Sequence, residues 1–173
     1  GAGIDAFLAS REVGPAGRVI GVDMTHSMLE RARANAVREN ITNVEFRLGE
    51  IEHLPVADAS VDVIISNCVI NLSPEKEQVF SEAWRVLKPG GRLLVSDLVW
   101  LEPPSEEIRR SAEALVGCVA GASLKGDYLA LMRTAGFKDV EVVAQGTYSG
   151  DACCGSPEAD AIASVKVRGI KPN

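Results

Sequence analysis

The sequence predicts a doubly wound α/β fold, in which helices cover both faces of a mostly parallel sheet. Short apolar runs rich in β-branched residues alternate with helical segments of about 10–15 residues, which is the pattern of right-handed βαβ crossovers. The last two predicted strands have no helix between them, so we expect an antiparallel pair at one end of the sheet. Sheets of this kind bind ligands at the carboxyl ends of their strands.

The N-terminal elements follow the order helix, strand, helix, strand, strand. The first helix has apolar residues at helical spacing and ends at Gly14-Pro15-Ala16-Gly17, because glycine and proline break the pattern. The next segment is rich in β-branched residues and ends in a carboxylate. This pattern is typical of a buried parallel strand. The second helix is rich in strong helix formers, and Thr25 or Ser27 can cap it. These predicted elements are Ile4–Val13, Arg18–Asp23, a helix ending at about Glu39, Val44–Leu48 and Val61–Ser66.

The later elements begin with a helix that Pro74 opens at a first-turn position and that Lys88-Pro89-Gly90-Gly91 ends. The charged run Glu75-Lys76-Glu77 is predicted to be the solvated start of this helix. A second amphipathic helix, EEIRRSAEALVGC, follows a cap at Ser105. The predicted elements of this part are helices over Pro74–Leu87, after Ser105 and over Gly126–Ala135, with strands over Arg92–Val99, Val140–Gln145 and Ala163–Arg168. The length of 173 residues predicts one domain over 1–173.

Charge and cysteine content exclude several classes of function. A formal charge of −6 and a pI near 5.0 argue against nucleic-acid binding, which needs clustered basic residues. No apolar run approaches the roughly 18 residues of a membrane span and no leader is visible, so we expect a cytoplasmic protein without a membrane anchor. The four cysteines form no disulfide framework and no CxxC zinc pair, so we expect reduced thiols.

The first residues have the composition of a ligand-binding turn. Gly1-Ala2-Gly3 stands directly before a helix, as in the tail of a glycine-rich strand-to-helix turn. Asp23 ends the next strand, where a carboxylate can accept hydrogen bonds from ribose hydroxyls. Both features fit NAD and S-adenosylmethionine alike, and Asp23 could instead only cap the next helix. Because a strand should precede such a turn, we expect a domain incomplete at its N terminus, and an insoluble or molten product when this segment is expressed alone.

Three segments carry a family resemblance: VEFRLGEIEHLP from Val44, VDVIISN from Val61 and WRVLKPGGRL from Trp84. Together they resemble the class I S-adenosylmethionine-dependent methyltransferases, which have a Rossmann-like sheet. The resemblance implies S-adenosylmethionine as cofactor. The residues that it implies as binding the cofactor are Gly1 and Gly3 in the turn, Asp23 on the ribose, Met24 and Glu50 on the adenine, the backbone N–H of Ile51 on the ring, and Asn67 beside the methyl donor. The alternatives are core packing for Met24 and a solvated loop charge for Glu50.

Two cysteines extend the resemblance. The segments NCVINLSP, which contains Cys68, and GCVAGA, which contains Cys118, resemble those of the arsenite methyltransferases. The resemblance implies that both cysteines bind trivalent arsenic as substrate and carry the catalysis, with a thiol reductant as partner. As(III) is thiophilic, so thiolates suit it, and its lone pair can attack a methyl group without a general base. Cys118 could instead be a small core residue, and Cys153-Cys154 could be a relay or an incidental loop pair. The family uses a further cysteine upstream of the glycine turn, so the resemblance assigns two thiols in this chain.

Two other functions remain open from the residues. A methyltransferase acting on a small organic metabolite would need a base or an activated carbon acid, and no convincing base is visible beyond His26, His53 and Asp97. Asp97 could equally have an indirect role at the end of its strand or a structural one. A thiol-based metalloid-binding protein without catalysis is the second alternative, and it would bind arsenite but no methyl donor.

Overall fold

The computed structural model describes residues 1–105, 119, 121–147 and 161–173, and it divides the chain into two compact units, Gly1–Pro55 and Val56–Asn173. The helix expected after Ser105, Cys118 and the loop with Cys153 and Cys154 lie outside the described residues. The prediction of one domain over 1–173 therefore stays a prediction. No helix in the described ranges is long and apolar enough to cross a membrane.

The Gly1–Pro55 unit has two helices and a parallel pair of strands. In order, these elements are α1 (Ile4–Val13), β1 (Val19–Asp23), α2 (His26–Arg38) and β2 (Val44–Leu48). The apolar stripe of α2 is buried, and Phe7 of α1 meets Phe46 of β2 edge-on with ring centroids 5.9 Å apart. The side-chain amide of Asn43 donates to the carbonyls of Ser10 and Gly14, which ties the segment before β2 to the end of α1. All four elements lie where the sequence predicts them.

The Val56–Asn173 unit is built on a four-stranded sheet. Its elements are β3 (Val61–Asn67), a 3-10 turn (Ile70–Leu72), α3 (Lys76–Val86), β4 (Leu87–Trp100), α4 (Lys125–Thr134), β5 (Lys138–Thr147) and β6 (Ile162–Ile170). The strand order is β3-β4-β6-β5, with β3 parallel to β4 and β6 antiparallel to both of its neighbours. The expected antiparallel pair of β5 and β6 is confirmed, and β6 inserts between β4 and β5.

Aromatic side chains of α3 and α4 fill the core of this unit. Phe80 meets Tyr128 edge-on at 5.4 Å between ring centroids, and Trp84 meets Phe137 in the same way at 5.4 Å. Phe80 and Tyr128 are fully buried. Edge-to-face pairs of this kind add about 0.5–1.5 kcal/mol beyond the burial of their area. The contact between Phe80 and Tyr128 fixes α4 against α3.

Two expected boundaries were wrong. Helix α3 begins at Lys76, because Ser73 is extended, as a residue before proline prefers, and its hydroxyl accepts the N–H of Glu75 in a turn ahead of the helix. The segment expected as a turn before a strand at Arg92 belongs to β4, which starts at Leu87. Tertiary pairing explains this difference, since the N–H of Gly90 donates to the carbonyl of Lys171 and draws the segment into the sheet.

Candidate functional site

Four of the residues expected to bind the cofactor lie at the carboxyl ends of β1 and β2. Asp23 ends β1 and pairs in register with Leu48, which ends β2. The N–H of Gly49 donates to the backbone carbonyl of Asp23 over 3.2 Å, so the two strand ends stay together as the chain leaves the sheet. Met24, Glu50 and Ile51 follow directly from these strand ends. The ends of β1 and β2 therefore bring these residues to the same end of the sheet, and their role in binding a cofactor stays a prediction.

The carboxylate of Asp23 lies beside the start of the next helix. Its Oδ1 accepts the N–H of Thr25 over 2.8 Å. This bond orders the turn before α2, which begins at His26. The role of Asp23 toward a cofactor stays a prediction.

Gly3 shapes the turn itself. Its φ of +95° lies in the left-handed region, and its carbonyl accepts the N–H of Phe7 over 2.9 Å to begin α1. A Cβ at this position would lie 2.6 Å from the Phe7 ring and 3.1 Å from the Phe46 ring, closer than packing allows. Only glycine fits here, because both the backbone angle and the space exclude a side chain.

Side chains at the same strand ends are exposed and therefore available to a ligand. Met24 is 69% exposed, which contradicts the alternative that it only packs in the core. Glu50 is also exposed and pairs through its backbone with His53, so a solvated loop charge remains one reading of Glu50. The turn at Gly3, the strand-end carboxylate of Asp23 and the exposed Met24 together fit the ribose and adenine of a nucleoside cofactor.

A thiol stands at the carboxyl end of β3 in the second unit. Asn67 ends the strand opposite Ser96 of β4, and both Asn67 and Cys68 are exposed. Cys68 has a left-handed φ of +53°, and its N–H donates to the carbonyl of Ser96 over 2.8 Å. This bond fixes the backbone of Cys68 at the carboxyl end of β3. The left-handed backbone conformation of Cys68 costs about 1–3 kcal/mol. Cys118 lies outside the described residues, and no cluster of three metal-ligating side chains occurs within the described ranges.

A buried polar group lies next to this thiol on β4. Asp97 is 1% exposed and accepts the hydroxyl hydrogen bond of Tyr128 at 2.9 Å. Burial raises the pKa of Asp97 to about 6, although the Tyr128 bond and the charge of Lys76 act in the opposite direction. Lys76 is half-buried and donates to the carbonyl of Ser73 over 3.0 Å. The expectation of a solvated Lys76 was wrong, because the start of α3 packs toward Asp97.

Sequence reasoning did not single out Tyr128 at all. The available signal was weak: a tyrosine on the apolar face of a helix needs a partner for its hydroxyl once that face is buried. The two histidines are placed as expected, since His26 is exposed and 3.4 Å from Glu30, and His53 is exposed. Neither stands in the buried group around Asp97.

This chain is similar to known methyltransferases in sequence. A family model described as a methyltransferase domain matches residues 1–136. An arsenite methyltransferase of Halobacterium salinarum is 56% identical over 142 residues, which are 82% of this chain and 36% of that protein. An arsenite methyltransferase of Aquipseudomonas alcaligenes is 45% identical over 151 residues, which are 83% of this chain and 43% of that protein. The chain thus spans well under half the length of these two curated relatives.

A solved structure extends the similarity to three dimensions. The arsenic(III) S-adenosylmethionine methyltransferase CrArsM of Chlamydomonas reinhardtii matches all of this chain and 61% of its own, with a TM-score of 0.84 and 34% identity. The match confirms the predicted doubly wound, Rossmann-like fold class. The resemblance to arsenite methyltransferases that the motifs around Cys68 indicate is confirmed by the same comparisons.

Proposed function

Because this chain belongs to the methyltransferase domain family, we propose that the protein transfers a methyl group from S-adenosylmethionine to thiolate-bound trivalent arsenic. The observation that carries the proposal is Cys68, an exposed thiol fixed by its backbone at the carboxyl end of β3. Relatives named arsenite methyltransferases, at 56% and 45% identity, support arsenic as the acceptor. A cytoplasmic location is part of the same proposal.

The methyl donor, S-adenosylmethionine, is assigned to the carboxyl ends of β1 and β2. Asp23 would accept the ribose hydroxyls, since its carboxylate stands at the carboxyl end of β1. Met24 would cover the adenine, and Glu50 and the N–H of Ile51 would bind its polar edge. Gly1 and Gly3 would line the turn and Asn67 the methyl side. When bound, S-adenosylmethionine supplies an electrophilic methyl group on a positively charged sulfur.

The thiolates of Cys68 and Cys118 would hold the arsenic. Each As–S bond formed from arsenous acid displaces one hydroxide, and the thiol proton leaves with it as water. Soft thiolates select a soft centre such as As(III) over harder ions. Methyl transfer then needs alignment of the arsenic lone pair more than proton removal. Donation of that lone pair to carbon raises the formal oxidation state of arsenic, so a thiol reductant would be needed before a second transfer.

The geometry around Asp97 favours this acceptor over a carbon, oxygen or nitrogen acid. An organic acceptor would need a base in contact with it. Asp97 is a carboxyl group of this unit with a raised pKa, but it is buried and its carboxylate accepts the Tyr128 hydroxyl. A lone-pair acceptor requires no such base, which agrees with the exposed thiol and the buried carboxyl.

The test is transfer of a labelled methyl group by the full-length protein with and without arsenite. We expect arsenite-dependent transfer, abolished by Cys68→Ser and by Cys118→Ser, whereas Val69→Ala, a change in the same loop that spares the thiol, keeps it. Undiminished turnover in both cysteine variants would contradict the thiolate assignment. Turnover on an organic acceptor without an arsenite response would replace the proposal with the metabolite methyltransferase. Calorimetry with arsenite binding and no S-adenosylmethionine binding would replace it with a metalloid-binding protein.

A further inference from the structure

The loop that carries Cys68 is tied to β4 at two points. The N–H of Cys68 donates to the carbonyl of Ser96 over 2.8 Å, and the side-chain amide of Asn71 donates to the carbonyl of Leu98 over 2.7 Å. These two carbonyls flank Asp97 in the strand. The position of the Cys68 loop therefore depends on the backbone of β4 on both sides of Asp97.

Asp97 and the Cys68 anchor share a peptide unit. The carbonyl of Ser96 and the N–H of Asp97 belong to the same planar group, so neither can rotate without the other. The Asp97 side chain is in turn fixed by the hydroxyl of Tyr128, which donates to it over 2.9 Å inside the core. A chain of contacts thus runs from α4 through Tyr128 and Asp97 to the backbone of Cys68.

The cost of this arrangement indicates that it does more than stabilise the fold. Asp97 is 1% exposed, and its second carboxylate oxygen has no hydrogen-bond partner among the described residues. Leaving a buried polar atom unsatisfied costs about 1–3 kcal/mol, and an apolar residue at this position would avoid that cost. The left-handed backbone of Cys68 adds strain at the other end of the same chain of contacts.

The hydroxyl of Tyr128 remains a donor inside the core. Burial raises the pKa of Tyr128, and the neighbouring Asp97 raises it further. Tyr128 therefore stays protonated and keeps its hydrogen bond to Asp97. The charge of Lys76, from the start of α3, also acts on Asp97.

We propose that Tyr128 and Asp97 are positioning residues that hold the Cys68 thiol in place for its substrate. Neither side chain touches the acceptor. Tyr128 fixes the Asp97 carboxylate, the shared peptide fixes the Ser96 carbonyl, and that carbonyl fixes the turn at Cys68. The proposal rests on the proposed function for its kinetic consequence, because a misplaced thiol would misalign the arsenic, but the position of the thiol itself can be measured without arsenic.

The first test measures the thiol in the arsenic-free, full-length protein. Alkylation of Cys68 by iodoacetamide, followed by mass spectrometry of the Cys68 peptide, reports the environment of the thiol. Tyr128→Phe keeps the ring against Phe80 and removes only the donor, and we expect it to change the alkylation rate by at least about threefold. Asp97→Leu should change the rate similarly. Asp97→Asn keeps an acceptor for Tyr128 and should restore the wild-type rate.

The second test measures kinetics. We expect kcat for arsenite methylation to fall about 10- to 100-fold in Tyr128→Phe and Asp97→Leu. The Kd for S-adenosylmethionine should stay within about twofold, because all of its proposed residues except Asn67 lie in the Gly1–Pro55 unit. The double variant Tyr128→Phe/Asp97→Leu should lose no more than the worse single variant, as expected of residues that act as a unit. Ser10→Ala, which removes the side-chain bond to Asn43 in the first unit, should leave kcat and Cys68 alkylation unchanged.

Two results would overturn the inference. One is Cys68 alkylation at the wild-type rate in both Tyr128→Phe and Asp97→Leu. The other is an equal loss in Asp97→Asn and Asp97→Leu, which would mean that the charge of Asp97, and not its bond to Tyr128, is what matters. A wild-type protein that does not methylate arsenite contradicts the proposed function and leaves the alkylation test intact, so the two failures are distinguishable.

Discussion

Asp97 shows how burial alters one side chain. A carboxyl group in the core loses hydration, and the single bond from Tyr128 restores only part of it. The sequence placed Asp97 near the end of a strand but left its role open between an indirect and a structural one. Whether a strand-end carboxylate faces water or the core depends on α3 and α4, which are distant in sequence. That distance explains why neither Tyr128 nor the contact of Lys76 could be predicted.

The buried Asp97 should make stability fall as pH rises. Its pKa is about 6 in the folded protein against 3.8 for the ordinary side chain, so between these values the folded state retains a proton that the unfolded chain has released. The folded state is therefore favoured at the acid end of that window and loses on the order of 2–3 kcal/mol by neutral pH. We expect Asp97→Asn to abolish this loss and to be more stable than wild type near neutral pH. Calorimetric melting of both proteins without arsenite, at about pH 4 and about pH 7.5, measures it. Parallel changes in Tm with pH for the two proteins would contradict the assignment.

Helices and strands with strong local signals were predicted closely. Ile4–Val13 and Val44–Leu48 have the predicted boundaries, because glycine and proline breaks and strict alternation act locally. The start of α3 and the length of β4 were predicted less well. Both depend on tertiary hydrogen bonds, at Ser73 and between Gly90 and Lys171, that no local pattern reveals.

The loop before β3 is held to the end of α3 by one arginine. The guanidinium of Arg85 makes two bonds to Glu82 at 2.7 Å and reaches Asp58 at 2.6 Å and the carbonyl of Val56 at 2.9 Å. The N–H of Ser60 also donates to the carbonyl of Val86 over 2.8 Å. This planar fork joins the helix and the loop in a way that an ammonium group cannot reproduce.

Arg85→Lys should therefore destabilise the protein although it keeps the charge. We expect a loss of about 1–2 kcal/mol, because a lysine retains one of these contacts and leaves Glu82 poorly satisfied. Arg38→Lys is the matched control. Arg38 is 70% exposed and pairs only with its neighbour Glu39 among the ion pairs described, so its exchange should change stability by less than about 0.5 kcal/mol. Urea unfolding of both variants gives the comparison, and an equal effect of the two would refute the role of the fork.

At the scale of the whole molecule, motif resemblance was more informative than composition. The charge of −6 disfavoured nucleic acid but indicated no substrate. The segments from Val44, Val61 and Trp84 and those around Cys68 and Cys118 indicated the family, and the 56% identical relative and the solved structure confirm that resemblance. The proposed donor residues lie in the Gly1–Pro55 unit except Asn67, which is in the other unit with Cys68. Their joint action in one reaction is the claim that the proposed function makes.

The most direct test of that claim is to count the sulfur atoms bound to arsenic. X-ray absorption at the arsenic edge, on the full-length protein with one equivalent of arsenite and S-adenosylhomocysteine, gives this number. We predict that Cys68→Ser lowers the number of sulfur ligands by one relative to wild type, and that Val69→Ala does not change it. An unchanged number of sulfur ligands in Cys68→Ser would show that Cys68 does not bind the arsenic and would contradict the account.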